Sequence, residues 1–112
     1  VADRPFIGSS PASPCGRLMM AACAAADFRP DVVHRFDDYR TVLALVAAGH
    51  GVSLVPDLGL CDVPAGVSVV DLADPIDRRI VLTYRTVSAD RPAVAAVRDA
   101  LCCLLAEPRT AA

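Results

Sequence analysis

Two short polar segments contain the side chains of this sequence that are best suited to binding a small ligand. The first, residues 9–13, reads Ser-Ser-Pro-Ala-Ser and is followed by Pro14, and the second, residues 37–41, reads Asp-Asp-Tyr-Arg-Thr. Ser and Asp cap helix N termini and proline fits the first helical position, so helices are predicted to begin at Ser13–Pro14 and Asp38–Tyr39. Two neighbouring helix starts, with their amides and hydroxyls, would bind a small anion or carboxylate.

Other interpretations of the same residues are open on the sequence alone. The serines and aspartates are equally well explained as caps that only stabilise their helices. Cys15 lies in the first turn of the first helix, and helix N termini stabilise thiolates, so a reactive thiol is an alternative to a packed, inert one. The pair Asp37–Asp38 fits acid/base catalysis less well than capping, because adjacent side chains rarely converge on one bond.

The turn Gly49-His50-Gly51 does not have the features of a nucleotide-binding loop. A phosphate loop leads from a strand into a helix, whereas this turn leads from a helix into a strand, and no third glycine follows at Leu54. The segment instead predicts a helix C-terminus with Gly49 in the left-handed conformation, and then a tight turn at Gly51. No cofactor and no catalytic residue is expected.

Histidine and cysteine are too dispersed along the sequence to predict a metal site. Neither His34 nor His50 has a second His or a Cys at ligand spacing. The cysteines form no CxxC pair and their number is odd, which favours free thiols in the reducing cytoplasm. They stand at positions 15, 23, 61, 102 and 103.

The elements that position the two polar segments alternate between strand and helix. Periodicity and turn signals predict helices over 14–26, 39–48 and 92–106, and strands over 5–8, 31–36, 52–55, 67–72 and 78–85. One helical turn is predicted over 57–60, and residues 109–112 are predicted to be frayed. Strands joined by long helical crossovers favour a parallel, right-handed α/β sheet. In such a sheet, helix starts that follow strands lie at the carboxyl edge, where ligands bind.

The composition indicates one folded domain that does not itself bind nucleic acid. The chain has 112 residues, is 54% hydrophobic and carries a net charge of −2, which excludes intrinsic disorder. Its eleven basic residues are all arginine and are scattered, unlike a nucleic-acid-binding surface. The apolar stretch Leu18–Ala26 is too short to span a membrane, and the opening residues lack a signal-peptide pattern. Because the sequence begins at Val1 and not at Met, we expect it to be part of a longer protein.

The segment from Asp37 to Pro56 has a distinctive order of features. An apolar helix is followed by Val-Ala-Ala-Gly, one variable residue, Gly-Val and a proline that closes the strand. This pattern resembles the effector-binding domain of LysR-type transcriptional regulators. His50 is a departure, since the family commonly has leucine at that variable position. Further matches lie at 5–7, in the Ser–Pro loop, and at 28–30, 74–75 and 91–94, so the resemblance covers practically the whole chain.

The resemblance implies a Rossmann-like, mostly parallel α/β sheet flanked by helices, one half of a type 2 periplasmic-binding-protein-like domain. Residues 1–112 would form a partial effector-binding domain. The second subdomain would occupy about 5–85, and a C-terminal helix at about 86–107 would pack on the missing first subdomain. In the family, the loop after the first strand and the start of the helix after the second strand contact the effector. Carried over to this sequence, these residues are Ser10, Ser13, Cys15, Asp38, Tyr39 and Thr41.

The function that the resemblance implies is effector sensing in a DNA-binding regulator, performed by a binding module and not by an enzyme. A small anionic molecule would bind in a cleft between subdomains, and DNA would be contacted only through an N-terminal domain outside this sequence. No membrane contact is implied, and the location would be the cytoplasm. Because the last helix carries apolar residues that the missing subdomain would cover, a dimer or larger assembly is expected. The alternative is a solute-binding or catalytic α/β domain of similar topology.

Overall fold

The structure, a computed structural model, describes residues 1–106 and divides into two compact units. The first unit is Val1–Ile76, and the second begins at Asp77. The first unit contains, in chain order, β1 (Phe6–Gly8), α1 (Pro14–Ala25), β2 (Val32–Arg35), α2 (Tyr39–Ala47) and a 3-10 turn at Asp57–Gly59. The second contains a 3-10 turn at Thr86–Ser88 and then α3 (Pro92–Ala106). The predicted fraying of 109–112 lies outside the described residues.

β1 is hydrogen-bonded on both of its edges. On one edge it pairs in parallel with β2, where Phe6 is opposite Val32 and Ile7 is opposite His34. On the other edge Phe6 forms a parallel bridge with Val52, in which the Ile7 amide donates to the Val52 carbonyl at 2.8 Å. The expected parallel α/β arrangement, with helical crossovers between parallel segments, is therefore confirmed.

The strand predicted over 52–55 is reduced to this one bridge, which corrects the sequence-based boundary. β1 is only three residues long, so it offers few positions at which a third segment can pair. Beyond Val52 the chain leaves the ladder, and Leu54 packs against the core cluster instead. Pro56 then ends any further pairing because it has no amide hydrogen.

The core lies on the two faces of β1. Phe6 packs with Met19 and Cys23 from α1, and the ring centroids of Phe6 and Phe28 lie 5.9 Å apart. Ile7 is completely buried, and burying a side chain of that size contributes about 1.5–3 kcal/mol. α2 contributes Val42 and Leu43, each 3% exposed. Of the residues at apolar spacing in α1, Met19 and Cys23 are buried.

Both helices of the first unit end in the same hydrogen-bonded turn. At the end of α2, the Gly49 amide donates to the Val46 carbonyl and the His50 amide to the Leu45 carbonyl, with Gly49 at φ 81°. This is the Schellman arrangement, which needs a left-handed residue just past the helix. The predicted conformation of Gly49 is confirmed.

Gly51, two residues later, is required by a close approach of two backbone segments. Its φ is 152°, a conformation that side-chain-bearing residues rarely adopt. A Cβ atom at this position would overlap the carbonyl oxygen of Pro5. The predicted tight turn therefore brings the chain directly onto the residue that precedes β1.

Two predicted strands, 67–72 and 78–85, are wrong. Neither segment has a strand partner among the described residues, and their apolar side chains are largely exposed, with Val70 at 80% and Ile80 at 61%. Alternating apolar residues favour a strand only where a neighbouring strand supplies hydrogen bonds. α3, by contrast, forms as predicted, because a helix satisfies its own backbone. None of the helices in residues 1–106 is long and apolar enough to cross a membrane.

Candidate functional site

The loop before α1 is bonded tightly to the first turn of that helix. Ser13 caps α1, because its Oγ accepts the Gly16 amide at 3.0 Å and donates to the Ser10 carbonyl at 2.8 Å. The Ser10 Oγ accepts the Ala12 amide at 3.4 Å. A Cβ atom at Gly16 would overlap the Ser10 carbonyl oxygen, so glycine is required for this close contact.

The start of α2 is capped by a carboxylate. Asp38 Oδ2 accepts the Thr41 amide at 2.9 Å and the Thr41 hydroxyl at 2.6 Å. These bonds, the hydroxyl first and the amide second, hold the pKa of Asp38 below its usual value. Hydrogen bonds to the charged form of a carboxyl favour ionisation, so Asp38 keeps its charge in moderately acidic solution.

The two helix starts are in direct contact. The Cys15 Sγ lies 3.0 Å from the Tyr39 Oη, a hydrogen bond in which either atom can be the donor. A second link joins the loops, since the Ser10 amide donates to Asp37 Oδ1 at 3.3 Å. The sequence predicts that these two helix starts are neighbours. The structure joins them by one contact between two side chains and by one hydrogen bond from a backbone amide to a side chain.

The six predicted site residues thus fall into two groups in the structure. Cys15 and Tyr39 meet across the gap between the helices, and both are half-buried. The side chains of the other four form local bonds within their own helix start, as the capping interpretation expects. They are Ser10, Ser13, Asp38 and Thr41.

Electrostatics distinguish the two helix starts. α1 begins with a neutral cap and has no acidic residue in its first turn. α2 begins with Asp37 and Asp38, and the carboxylate of Asp38 already occupies its first-turn amides. A helix N-terminus attracts anions through its dipole and its amides, so the start of α1 is the more favourable of the two for a ligand carboxylate.

Sequence reasoning missed Gly59, which lies under the aromatic ring of Tyr39. A Cβ atom at position 59 would come within 2.9 Å of both Cγ and Cδ2 of that ring. No local pattern signals this contact, because it joins a 3-10 turn to a helix start twenty residues earlier in the chain. Gly16, in contrast, is a detectable signal, since glycine is disfavoured inside helices unless a close contact requires it.

The two histidines are closer than their sequence separation indicates. The ring centroids of His34 and His50 lie 5.8 Å apart with the rings nearly perpendicular, a proximity that their separation in the sequence does not indicate. β2 and the turn after α2 bring them together. Within the described part of the chain, no group of three or more His, Cys, Asp or Glu side chains is arranged to hold a metal ion.

Of the cysteines in the first unit, Cys23 is the one buried in the core. It is 2% exposed, and burial raises the pKa of its thiol. A thiol with a raised pKa remains protonated at neutral pH and reacts slowly. Cys23 therefore acts as a small apolar side chain beneath Phe6.

The chain matches one protein family over nearly all of its length. The model of the LysR substrate binding domain matches residues 1–103. No curated protein and no solved structure matches the chain. Domains of this family have a periplasmic-binding-protein-like α/β fold and bind effectors in LysR-type transcriptional regulators, and the parallel strands and flanking helices described above agree with that fold. The chain belongs to the LysR substrate-binding domain family.

Proposed function

We propose that this chain is the effector-sensing part of a LysR-type DNA-binding regulator and binds a small anionic inducer in a cleft between two subdomains. The observation that carries the proposal is the family match over residues 1–103. The chain acts as a binding module and not as an enzyme. It works in the cytoplasm and reaches DNA through a separate N-terminal domain.

The helix starts form one wall of the proposed cleft. The effector carboxylate binds at the start of α1, where the cap is neutral and the first turn has no acidic residue, although Asp37 Oδ1 accepts the Ser10 amide in the preceding loop. α2 contributes Tyr39, whose hydroxyl lies 3.0 Å from the Cys15 sulfur at that same start. The negative charge of Asp38 disfavours a second anionic group near α2, so the site accepts one carboxylate at a defined end of the ligand.

The proposed domain arrangement explains how binding becomes a signal. Residues of about 5–85 form the second subdomain, and the C-terminal segment from about 86, which contains α3, returns to the first. An effector that contacts both subdomains favours the conformation in which both sets of contacts are made. Because the effector binds that conformation more tightly than the alternative, it also favours the DNA-binding geometry that goes with that conformation.

A thermal-shift screen tests the proposal. Small carboxylates are compared with their uncharged primary amides on the wild-type protein and on Tyr39→Phe and Cys15→Ala. Cys103→Ala is the matched control, because Cys103 is an exposed thiol of α3, in the second unit. A carboxylate at about 100 times its Kd stabilises the folded state by about 2.7 kcal/mol.

We expect that stabilisation in the wild type and in the Cys103 variant, with a smaller one in the other two. Equal shifts with the amides would contradict the anionic specificity. Equal shifts in all four proteins would contradict the placement of the site at these helix starts.

Self-association is part of the same proposal. When this chain is studied without a first subdomain, the exposed apolar side chains of α3 are covered by a second copy, giving a dimer or larger assembly. They are Val97, Leu101, Leu104 and Leu105. Sedimentation velocity tests this directly, and a monodisperse monomer at micromolar concentration would contradict it.

A further inference from the structure

Three elements meet at the aromatic ring of Tyr39. The residue is the first of α2, its hydroxyl contacts Cys15 in the first turn of α1, and its ring faces Gly59 in the 3-10 turn at Asp57–Gly59. The first two elements carry the proposed effector site. The third belongs to the segment that follows Val55 and has no assigned role.

The contact with Gly59 leaves no room for a larger residue. A Cβ atom at position 59 would lie 2.9 Å from Cγ and Cδ2 of Tyr39 and 3.0 Å from Cγ1 of Val55. Nonbonded carbon atoms are separated by about 3.5–4.0 Å at their optimum, so the ring would have to retreat by about 0.5–1 Å.

The position of the crowded atoms determines what moves. Cγ is the atom by which the Tyr39 ring is attached, so a clash there displaces the rigid ring as a whole and carries the hydroxyl with it. The Sγ to Oη distance of 3.0 Å then lengthens, and its geometry worsens. Hydrogen bonds weaken steeply with poor alignment, so this contact is lost before the helices themselves separate.

We propose that Gly59 is a positioning residue. Because Gly59 has no side chain, the Tyr39 ring packs directly against the Gly59 backbone, and this contact keeps the phenol hydroxyl on Cys15 and sets the spacing of the two helix starts. Its role in effector binding rests on the proposed function. The contact that it maintains can be measured without any effector.

Alkylation of the cysteines provides the measurement. Iodoacetamide reacts with each accessible thiol at a rate that peptide mass spectrometry resolves residue by residue. Because the Tyr39 phenol covers the half-buried Cys15 sulfur, Tyr39→Phe is expected to accelerate Cys15 alkylation about fivefold, the ratio that corresponds to losing one net hydrogen bond. Gly59→Ala is expected to produce the same acceleration although it changes neither partner of the bond.

Two comparisons separate positioning from general destabilisation. In the double variant Gly59→Ala, Tyr39→Phe, the Cys15 rate is expected to equal that of either single variant, because the same contact is lost only once. Gly66→Ala is the control, since alanine is strained at the Gly66 φ of 89° but no atom lies within 4 Å of its Cβ position. It is expected to leave the Cys15 rate unchanged, and the exposed thiols of α3, Cys102 and Cys103, serve as the internal reference in every protein.

The proposal is overturned if Gly59→Ala leaves the Cys15 rate at the wild-type value, or changes it in the opposite direction from Tyr39→Phe. It is also overturned if Gly66→Ala accelerates Cys15 to the same extent, or if Cys102 and Cys103 accelerate in parallel. Failure of every carboxylate to bind would contradict the proposed function alone, because these rates are measured on the unliganded protein.

Discussion

The two helices of the first unit follow the same plan with different residues. Each is preceded by a parallel strand, each has a side-chain cap that accepts the amide three positions on, and each ends in a Schellman turn. The left-handed residue of that turn is Gly49 after α2 but Asp27, with φ 59°, after α1. The next residue is the exposed His50 in one case and the core-packed Phe28 in the other.

This difference shows two ways of ending a helix. After α2 the turn has little side-chain packing to support it, and glycine makes the left-handed conformation inexpensive. After α1 an aspartate adopts the same conformation at a cost and brings a negative charge to the negative end of the helix dipole. Packing of Phe28 against Phe6 offsets that cost, so tertiary contacts determine the end of α1 and local conformation determines the end of α2.

The largest expected effect comes from removing the packing at the end of α1. Phe28→Ala is expected to lower the free energy of unfolding by about 2–3 kcal/mol, below the range for a fully buried phenylalanine because Phe28 is half-buried. His50→Ala, at the equivalent position after α2, is expected to change it by less than about 0.5 kcal/mol. Urea unfolding followed by circular dichroism measures both, and similar losses would contradict the comparison.

The left-handed residues are expected to respond in opposite directions. Gly49→Ala is expected to destabilise the protein by about 1 kcal/mol through backbone conformation alone, because no atom lies within 4 Å of the added Cβ. Asp27→Gly is expected to stabilise it by about 0.5 kcal/mol. Glycine removes the cost of the left-handed conformation in the folded state, but it also gives the unfolded chain more conformational entropy, which offsets part of that gain. A loss of stability in Asp27→Gly would show that the aspartate makes a compensating contact.

The two caps are expected to differ in their pH dependence. Ser13→Ala is expected to cost about 1 kcal/mol at every pH, since a hydroxyl cap does not titrate. The pKa of Asp38 is lowered in the folded state by its bonds to Thr41, so its contribution is complete above the unfolded pKa and is lost as the pH falls through the folded one.

The stability difference between wild type and Asp38→Ala is therefore expected to shrink below about pH 4, whereas the difference for Ser13→Ala stays constant. Asp38→Asn is the matched control, because it retains a capping oxygen without the charge. Unfolding curves from pH 7 to pH 2 measure all three, and a difference for Asp38→Ala that is independent of pH would contradict the assignment of the cap to the ionised carboxylate.

Features that depend on neighbouring residues were predictable from the sequence. The caps Ser13 and Asp38 and the left-handed Gly49 are set by contacts within about four positions, so residue type and spacing identify them. The adjacency of the two helix starts followed from the topology of a parallel sheet. That topology does not specify which atoms meet, so the hydrogen bond between Cys15 and Tyr39 is seen only in the structure.

Contacts that depend on distant parts of the chain were not predictable. His34 and His50 are brought together by two different elements, and Gly59 reaches Tyr39 from a turn with no helix or strand periodicity. The segments 67–72 and 78–85 show the converse error. Their alternation specifies two faces of a strand, but it carries no information about whether another strand is present to pair with them.

The double pairing of β1 has a consequence for how the protein is made. Phe6 and Ile7 are synthesised before their partners, because their hydrogen bonds go to β2 and to Val52, both much later in the chain. At about 5–20 residues per second, a ribosome adds the segment from position 6 to position 52 in about 2–9 seconds. During that interval the two most buried positions of the sheet have no complete set of partners. Nascent chains of this protein therefore present an apolar strand that a chaperone has time to bind.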